Sequence, residues 1–407
     1  MGWCRFGRRP LHQAFESLGK PEIAVLLFFA GNYRYISSMS LIGSGDEGNG
    51  LRTFLKSVMT LAAVILLSVT LTNVLSPQSR PQNYQVRETA AVGSLGFADS
   101  WLWFLSPDDV NRQLDLMVST GVHNARIMLP WAGIQPAADS YDWGQADTII
   151  NAANARGIAV VGLLNSTPGW ATGGGPAISS PPADVNTFAN FAGTVASHFA
   201  GRIAAYEVWN EENAVQFWNA GAAGPQPDRF AQMLKAAYPA IKGADPAATV
   251  VMGGLSPTIN FFSITKNPVD YLNNVYAAGG GGSFDAVAFH PYLFTSNTDA
   301  RFSTGKVNSP RSLYDGLRAA MNANGDGGKQ IWATEFGEAT SKVDEATQAA
   351  WIQDFIVTWR GLPGAGPAFV YTTRDRNTGN GNAQDNYGVY RTDWTPKPAA
   401  DVIRNLA

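Results

Sequence analysis

The chain has 407 residues, 45% of them hydrophobic and 15% charged, which builds a large core and excludes a disordered chain. A formal net charge of −3 speaks against a phosphate-backbone partner, so nucleic acid is set aside. One cysteine, Cys4, permits no intramolecular disulfide and no Cys-based zinc site, and four histidines without an H-E-x-x-H pairing predict neither catalytic metal nor cofactor.

Residues 1–56 read as a polar, basic leader. Residues 57–79 carry no charge, and within them Val58 to Val69 is apolar apart from Thr60 and Ser68, with Arg52 and Lys56 just before. A basic stretch followed by an apolar one predicts export. No A-x-A site follows closely, and the run is nearly as long as the ~20 residues that cross a bilayer. Residues 57–79 are therefore a cleaved signal peptide or a retained signal-anchor helix, and the protein is expected to be secreted or membrane-anchored at the cell envelope. Met39 stands where an export signal would begin, and translation is expected to start there or later, the residues before it being a mis-called start. Residues 43–48, Gly-Ser-Gly-Asp-Glu-Gly, match the dinucleotide fingerprint by letter but have no strand before and no helix after, so they carry no cofactor reading. Residues 80–91 read as a linker.

From Val92 short apolar runs alternate with longer helical stretches, the pattern of repeated βα units. Val92–Phe97 is the first expected strand. Ser106-Pro107-Asp108-Asp109 then gives an N-cap, a proline at the first helical position and acids in the first turn, leading into Val110, Leu114 and Met117 at helical spacing. Further strands are expected at Asn124–Leu129, Ala159–Leu164, Ala205–Trp209, Val250–Met252, Ala286–Phe289, Ile331–Ala333 and Ala368–Tyr371. Helices are expected at Ala146–Arg156, Val185–Phe199, Arg229–Lys242, Pro310–Ala323 and Glu345–Trp359. Eight such units predict an α/β fold, a (β/α)8 TIM barrel over residues 92–407.

At roughly forty residues per unit, Glu211 and Glu335 fall near the ends of strands four and seven, and active sites of this fold sit at the C-terminal strand ends. Tyr206 to Asn213 and Ile331 to Glu338 share one form, an alternating strand that ends in polar groups. Two carboxylates facing one cleft suit glycosidic cleavage. One acid protonates the departing oxygen, and one carboxylate meets the positive charge developing at the anomeric carbon. With Glu335 ionised, its charge would hold the nearby Glu211 in the protonated form. A carboxyl separation of about 5–5.5 Å implies retention of configuration and a wider one inversion.

The motifs Trp209-Asn210-Glu211 and Thr334-Glu335-Phe336-Gly337 resemble the strand-four and strand-seven signatures of glycoside hydrolase clan A. Arg126 to Trp131 (RIMLPW) and Tyr141-Asp142-Trp143 resemble family 39 within it, especially endoglycosidases acting on bacterial exopolysaccharides. The resemblance runs from about Val92 to the C-terminus. It implies a retaining hydrolase of a poly- or oligosaccharide, with Glu211 as acid/base and Glu335 as nucleophile. It further implies that Asn210 binds the sugar 2-hydroxyl, that His290 and Tyr292 line the site from strand six, and that Arg126 holds the nucleophile ionised. Where many clan members place a tryptophan near the end of strand eight, this chain has Tyr371, which would serve as the platform under the −1 sugar.

Other residues have competing readings. Trp131, Trp170 and Trp218 follow strands two, three and four, where sugar stacking competes with loop packing; Trp209 is expected to be structural. Glu207 shares strand parity with Glu211 but lies deeper, which predicts a buried acid paired with Arg126. Glycine-rich loops at 173–175 and 279–282 fit a groove for a polymer. A serine hydrolase lacks its G-x-S-x-G elbow in the barrel region. The alternative is a catalytically silent carbohydrate-binding barrel at the envelope, against which both carboxylates speak.

Overall fold

The computed structural model describes residues 94–407 apart from 296, 298, 299, 307 and 308. The leader, the apolar segment 57–79, the linker 80–91, and Val92 and Gly93 of the first expected strand lie outside the described residues.

Eight parallel strands pair in chain order and close on themselves: β1 Leu95–Ala98, β2 Asn124–Pro130, β3 Ala159–Asn165, β4 Ala205–Asn210, β5 Thr249–Leu255, β6 Ala286–Phe289, β7 Gln330–Phe336 and β8 Ala365–Val370. Nine helices lie among them in the described residues: α1 Pro107–Ser119, α2 Trp131–Ile134, α3 Gly144–Ala155, α4 Val185–His198, α5 Pro227–Ala244, α6 Pro268–Ala277, α7 Pro310–Ala323, α8 Glu345–Arg360 and α9 Pro398–Leu406. The barrel expected from the alternation is present. The starts of the main helices are written in the sequence as caps: the side chains of Ser106, Asp184, Ser309 and Asp344 accept from backbone N–H groups two or three residues on. α6 and α9 were not anticipated, although each opens with proline at the first turn.

Two apolar layers hold the barrel together. Outward-facing strand residues pack under the helices, while the inside is lined by Ala98, Val161, Ala205, Val251, Ala286 and Ala288 and filled by Trp332 and Phe369. The large rings fit because glycine stands opposite. A β-carbon on Gly96 would lie 2.2 Å from the Phe369 ring, and one on Gly366 would lie 2.4 Å from Trp332. Burial of this kind is worth roughly 25 cal/mol per Å2 of apolar surface.

β5 and β7 each run three residues beyond their expected ends. The doublet Gly253-Gly254 reads as a strand terminus on propensity, yet the strand continues through it to Leu255, paired with β4 as far as Gly254 and shifting register against β6 between Met252 and Leu255. The reason for two glycines there lies in the site above them.

Candidate active site

Arg126, inside the barrel on β2, organises the C-terminal mouth. Its Nε donates to Glu207 Oε2 at 2.5 Å, its Nη2 to Glu207 Oε1 at 3.1 Å and Asn210 Oδ1 at 2.7 Å, and its Nη1 to Glu335 Oε1 at 2.5 Å. Burial opposes its charge, but the carboxylates of Glu207 and Glu335 outweigh that and keep the guanidinium charged. The buried pairing of Glu207 with Arg126 is the one the strand parity predicted. One planar fork thus serves three acceptors on two strands, a geometry a lysine cannot supply.

Parity fails one step further on. In a regular strand Asn210 and Glu211 would face opposite sides. Trp209 adopts φ 76° and Glu211 φ 47°, which bends the end of β4 and brings Glu207, Asn210 and Glu211 into one neighbourhood. Trp209 itself turns into the core against Phe188 and Trp218. Left-handed backbone at non-glycine residues costs of order 1–3 kcal/mol each and is retained where the surroundings fix it. The Glu211 N–H is tied to the Gly254 carbonyl at 3.0 Å.

His290, fully buried after β6, joins the two carboxylates. Its Nδ1 lies 3.0 Å from Glu211 Oε1 and 3.8 Å from Glu335 Oε2. Those two oxygens therefore lie within about 7 Å of each other, inside or at the edge of the separations over which carboxyl pairs cleave glycosides. The Nε2 of His290 lies 3.1 Å from Thr334 Oγ1, and that hydroxyl is 3.1 Å from Glu207 Oε1. An ionised carboxylate can only accept, so Thr334 donates to Glu207 and has only lone pairs left for His290. Nε2 must then carry hydrogen. The Nδ1 of a neutral ring is left to accept a proton held by Glu211, and an imidazolium would donate there to a carboxylate. In either state one proton is shared between Glu211 and His290, the proton a leaving group needs.

Glu335 is held differently. Burial alone would push its carboxyl up, but attraction to His290 and Arg126 and hydrogen bonds from the Tyr292 hydroxyl (2.8 Å to Oε2) and Arg126 bring it below the ordinary glutamate value. Glu335 is thus kept charged by its neighbours, while Glu211 faces His290 Nδ1 across one shared proton.

The glycine doublet now has its cause. A β-carbon on Gly254 would lie 2.0 Å from His290 Nε2, and one on Gly253 would lie 2.3 Å from Glu212 Oε2. Glu212 is wholly buried, and burial together with the charges of Glu207 and Glu211 pushes its carboxyl well up. Two glycines in mid-strand are a readable sign of close approach by a functional group.

The expected sugar platforms divide. Trp131 is corrected: it opens α2, turns outward, and is buried between Phe188, Phe191 and Trp170, with Nε1 donating to Gln135 Oε1 at 2.7 Å, so no sugar can reach its face. Trp218 is corrected in the same way, buried against Trp209 and Phe230. Trp170 remains 38% exposed on the loop after β3, its Nε1 donating to the Gln135 carbonyl at 3.1 Å. Tyr371 follows β8, its hydroxyl donating to Gln384 Oε1 and accepting from Arg376 Nη2, each at 3.3 Å. Tyr387 was not picked out as a site residue. It packs edge-on against both Tyr292 and Tyr371, at 5.9 and 5.3 Å between ring centres, and its place in a loop rich in Asn, Gly and Asp gave no periodic signal.

Residues 86–360 match the family described as cellulase, glycosyl hydrolase family 5. No curated protein matches the chain. Among solved structures, it is similar to a family 39 glycoside hydrolase from Bacteroides cellulosilyticus WH2, with 20% identity, TM-score 0.61, and 77% of this chain covered. The chain spans 63% of that protein's length. It is also similar to a GH5_18 protein from Streptomyces cattleya in complex with GlcNAc, with 16% identity and TM-score 0.61 over 78% of this chain and 80% of that one. Xylanase 10B from Thermotoga petrophila RKU-1 aligns at 18% identity and TM-score 0.52, over 81% of this chain and 98% of the other. These likenesses show the shared barrel.

Proposed function

We propose that this chain, which belongs to the cellulase family, glycosyl hydrolase family 5, and so to clan A, hydrolyses O-glycosidic bonds of a poly- or oligosaccharide with retention of configuration. Glu335 is the nucleophile and Glu211 the acid/base. One observation carries the reading: His290 Nδ1 lies within 4 Å of an oxygen of each carboxylate, joining a charged group and a proton-sharing group at the ends of β4 and β7. In the first step Glu335 attacks the anomeric carbon while the proton shared by Glu211 and His290 passes to the departing oxygen. In the second, Glu211 takes a proton from water, and the water oxygen displaces Glu335.

The other residues support these steps. Asn210, its carbonyl fixed by Arg126, is left with its NH2 group to meet a sugar hydroxyl. Tyr292 and Arg126 hold the charge of Glu335 until the covalent bond forms. Tyr371 and Tyr387 supply the aromatic wall of the −1 site. The motifs at Arg126 to Trp131 and at Tyr141 to Trp143 support a substrate preference like that of family 39. The apolar run at 57–79 supports an enzyme exported from the cytoplasm, secreted or anchored at the envelope, with an envelope or extracellular glycan as its target.

Azide separates the two roles. Glu211→Ala is expected to slow hydrolysis of a glycoside with a poor leaving group by about 10^2–10^4-fold. With a dinitrophenyl leaving group the intermediate still forms, and azide should restore turnover and give a glycosyl azide of the substrate's own configuration. A glycosyl azide of opposite configuration, or no response to azide, would sink the assignment.

A further inference from the structure

We propose that the loops following β3, β4 and β5 form an apolar site for the leaving group, so that the saccharide cleaved by this enzyme is carried on a hydrophobic aglycone. The proposal rests on the assignment of Glu211 as acid/base and adds to it the chemical class of what departs.

The general acid must touch the leaving oxygen, so the leaving group lies over the strand that carries the acid. That strand is β4, and the loops after β3 and β5 flank it. The three loops are stitched together. Asn219 N–H donates to the Ser179 carbonyl at 2.8 Å, Val215 N–H to the Ile264 carbonyl at 2.9 Å, and Lys266 N–H to the Asn213 carbonyl at 2.9 Å. Gly224 comes so close to the loop after β5 that a β-carbon there would lie 2.1 Å from the Ser263 carbonyl oxygen. Val215 is only four residues from Glu211, so this rim is continuous with the site.

The rim differs in chemistry from the rest of the mouth. Between Asn165 and Asp184, between Glu212 and Asp228, and between Leu255 and Lys266 there is no ionisable side chain. The loop after β8, by contrast, carries Arg374, Asp375, Arg376 and Asp385. On this uncharged rim stand Phe262 at 90% exposure, Ile178 at 50% and Ile264 at 37%. Isoleucine has no flat face for a sugar ring, and side chains of this kind gain from contact with other apolar groups.

Backbone geometry strengthens the case. Ile178 adopts φ 75° and Phe262 φ 45°. Left-handed backbone is disfavoured for any bulky residue and rare for a β-branched one. Here two strained residues hold apolar side chains out in solvent, where packing within the fold returns little. Strain of this sort collects at ligand sites, and an apolar aglycone laid across the rim recovers what the free protein forgoes.

The test uses the full chain and paired methyl and octyl glycosides of glucose, galactose, mannose and xylose, below micellar concentration. The two alcohols are similar leaving groups, so a difference in kcat/KM reports contact with the chain. We expect the octyl member of the cleaved pair to be preferred by at least ~10-fold, since each buried methylene adds severalfold in affinity. The preference should fall toward one in Ile178→Ser/Phe262→Ser/Ile264→Ser, whose side chains are mostly outside the core. Equal rates for the pair overturn the aglycone site while leaving the glycosidase intact. Without hydrolysis across the panel, calorimetry decides the rim by itself: octyl glycoside binding lost in the triple variant supports it, and no binding, or binding unchanged in that variant, overturns it. Attachment to phosphatidylcholine or phosphatidylglycerol vesicles that depends on the three residues, without any octyl preference, replaces the proposal with a membrane contact. A concentration-dependent dimer abolished by the same variant, again with no preference, replaces it with an interface between copies.

Discussion

Glu335→Gln is expected to lower kcat/KM by about 10^4–10^6-fold while leaving the fold and saccharide binding in place. The side chain keeps its shape but loses both its charge and its power as a nucleophile. It also puts an NH2 group where either the Arg126 Nη1–H or the Tyr292 O–H now finds an acceptor. Arg126 keeps Glu207 as a partner, so stability should change little beside activity. Steady-state kinetics with an activated aryl glycoside reads the loss. Retention of more than a tenth of wild-type activity would remove Glu335 from the chemistry. The direction of its titration fits the same role. Because the folded value lies below the ordinary 4.5, the charged form and the stability it contributes are present above 4.5 and are lost as pH falls through the lower folded value. The acid limb of the activity profile should therefore lie below 4.5.

Arg126→Met carries the largest expected cost to stability. The substitution leaves Glu207 wholly buried beside Glu212 with its compensating charge gone, which costs about 3–5 kcal/mol in comparable sites. For a domain of this size that lowers the melting temperature by roughly 10 °C, with activity lost at the same time because Glu335 and Asn210 lose their common donor. Adding Glu207→Leu should recover a good part of the melting temperature and none of the activity. A single variant that melts with the wild type would mean that the buried fork is not what fixes the mouth of the barrel.

Much of this architecture is legible in the chain. The caps at Ser106, Asp184, Ser309 and Asp344 announce helices, and short apolar runs ending in polar residues announce strands that leave the core at the mouth. The two glutamates, Asn210, Arg126, His290 and Tyr292 converge at that mouth, as the fold and the motifs implied. What could not be read is orientation. Trp131 and Trp218 follow strand ends, as loop platforms would, yet each turns outward because a pocket of aromatic rings, Phe188 and Phe191 for one and Trp209 and Phe230 for the other, offers more burial than solvent does. The positive φ at Trp209 that swings Asn210 and Glu211 into one site leaves no mark in the residue pattern, since glycine would have been the expected letter. Thr334, which fixes the proton on His290 Nε2, looks in sequence like any strand threonine.

Covalent chemistry at Glu335 is the claim on which the other assignments depend, and trapping with a 2-deoxy-2-fluoro glycoside bearing a dinitrophenyl leaving group addresses it directly, because the fluorine slows both steps while the leaving group restores the first, so that the captured sugar accumulates. After proteolysis, mass spectrometry should find one sugar on the peptide that contains Glu335, and none when residue 335 is glutamine. A sugar on the Glu211 peptide instead, or rapid turnover of the parent glycoside to a product of inverted configuration with no adduct anywhere, would contradict the account.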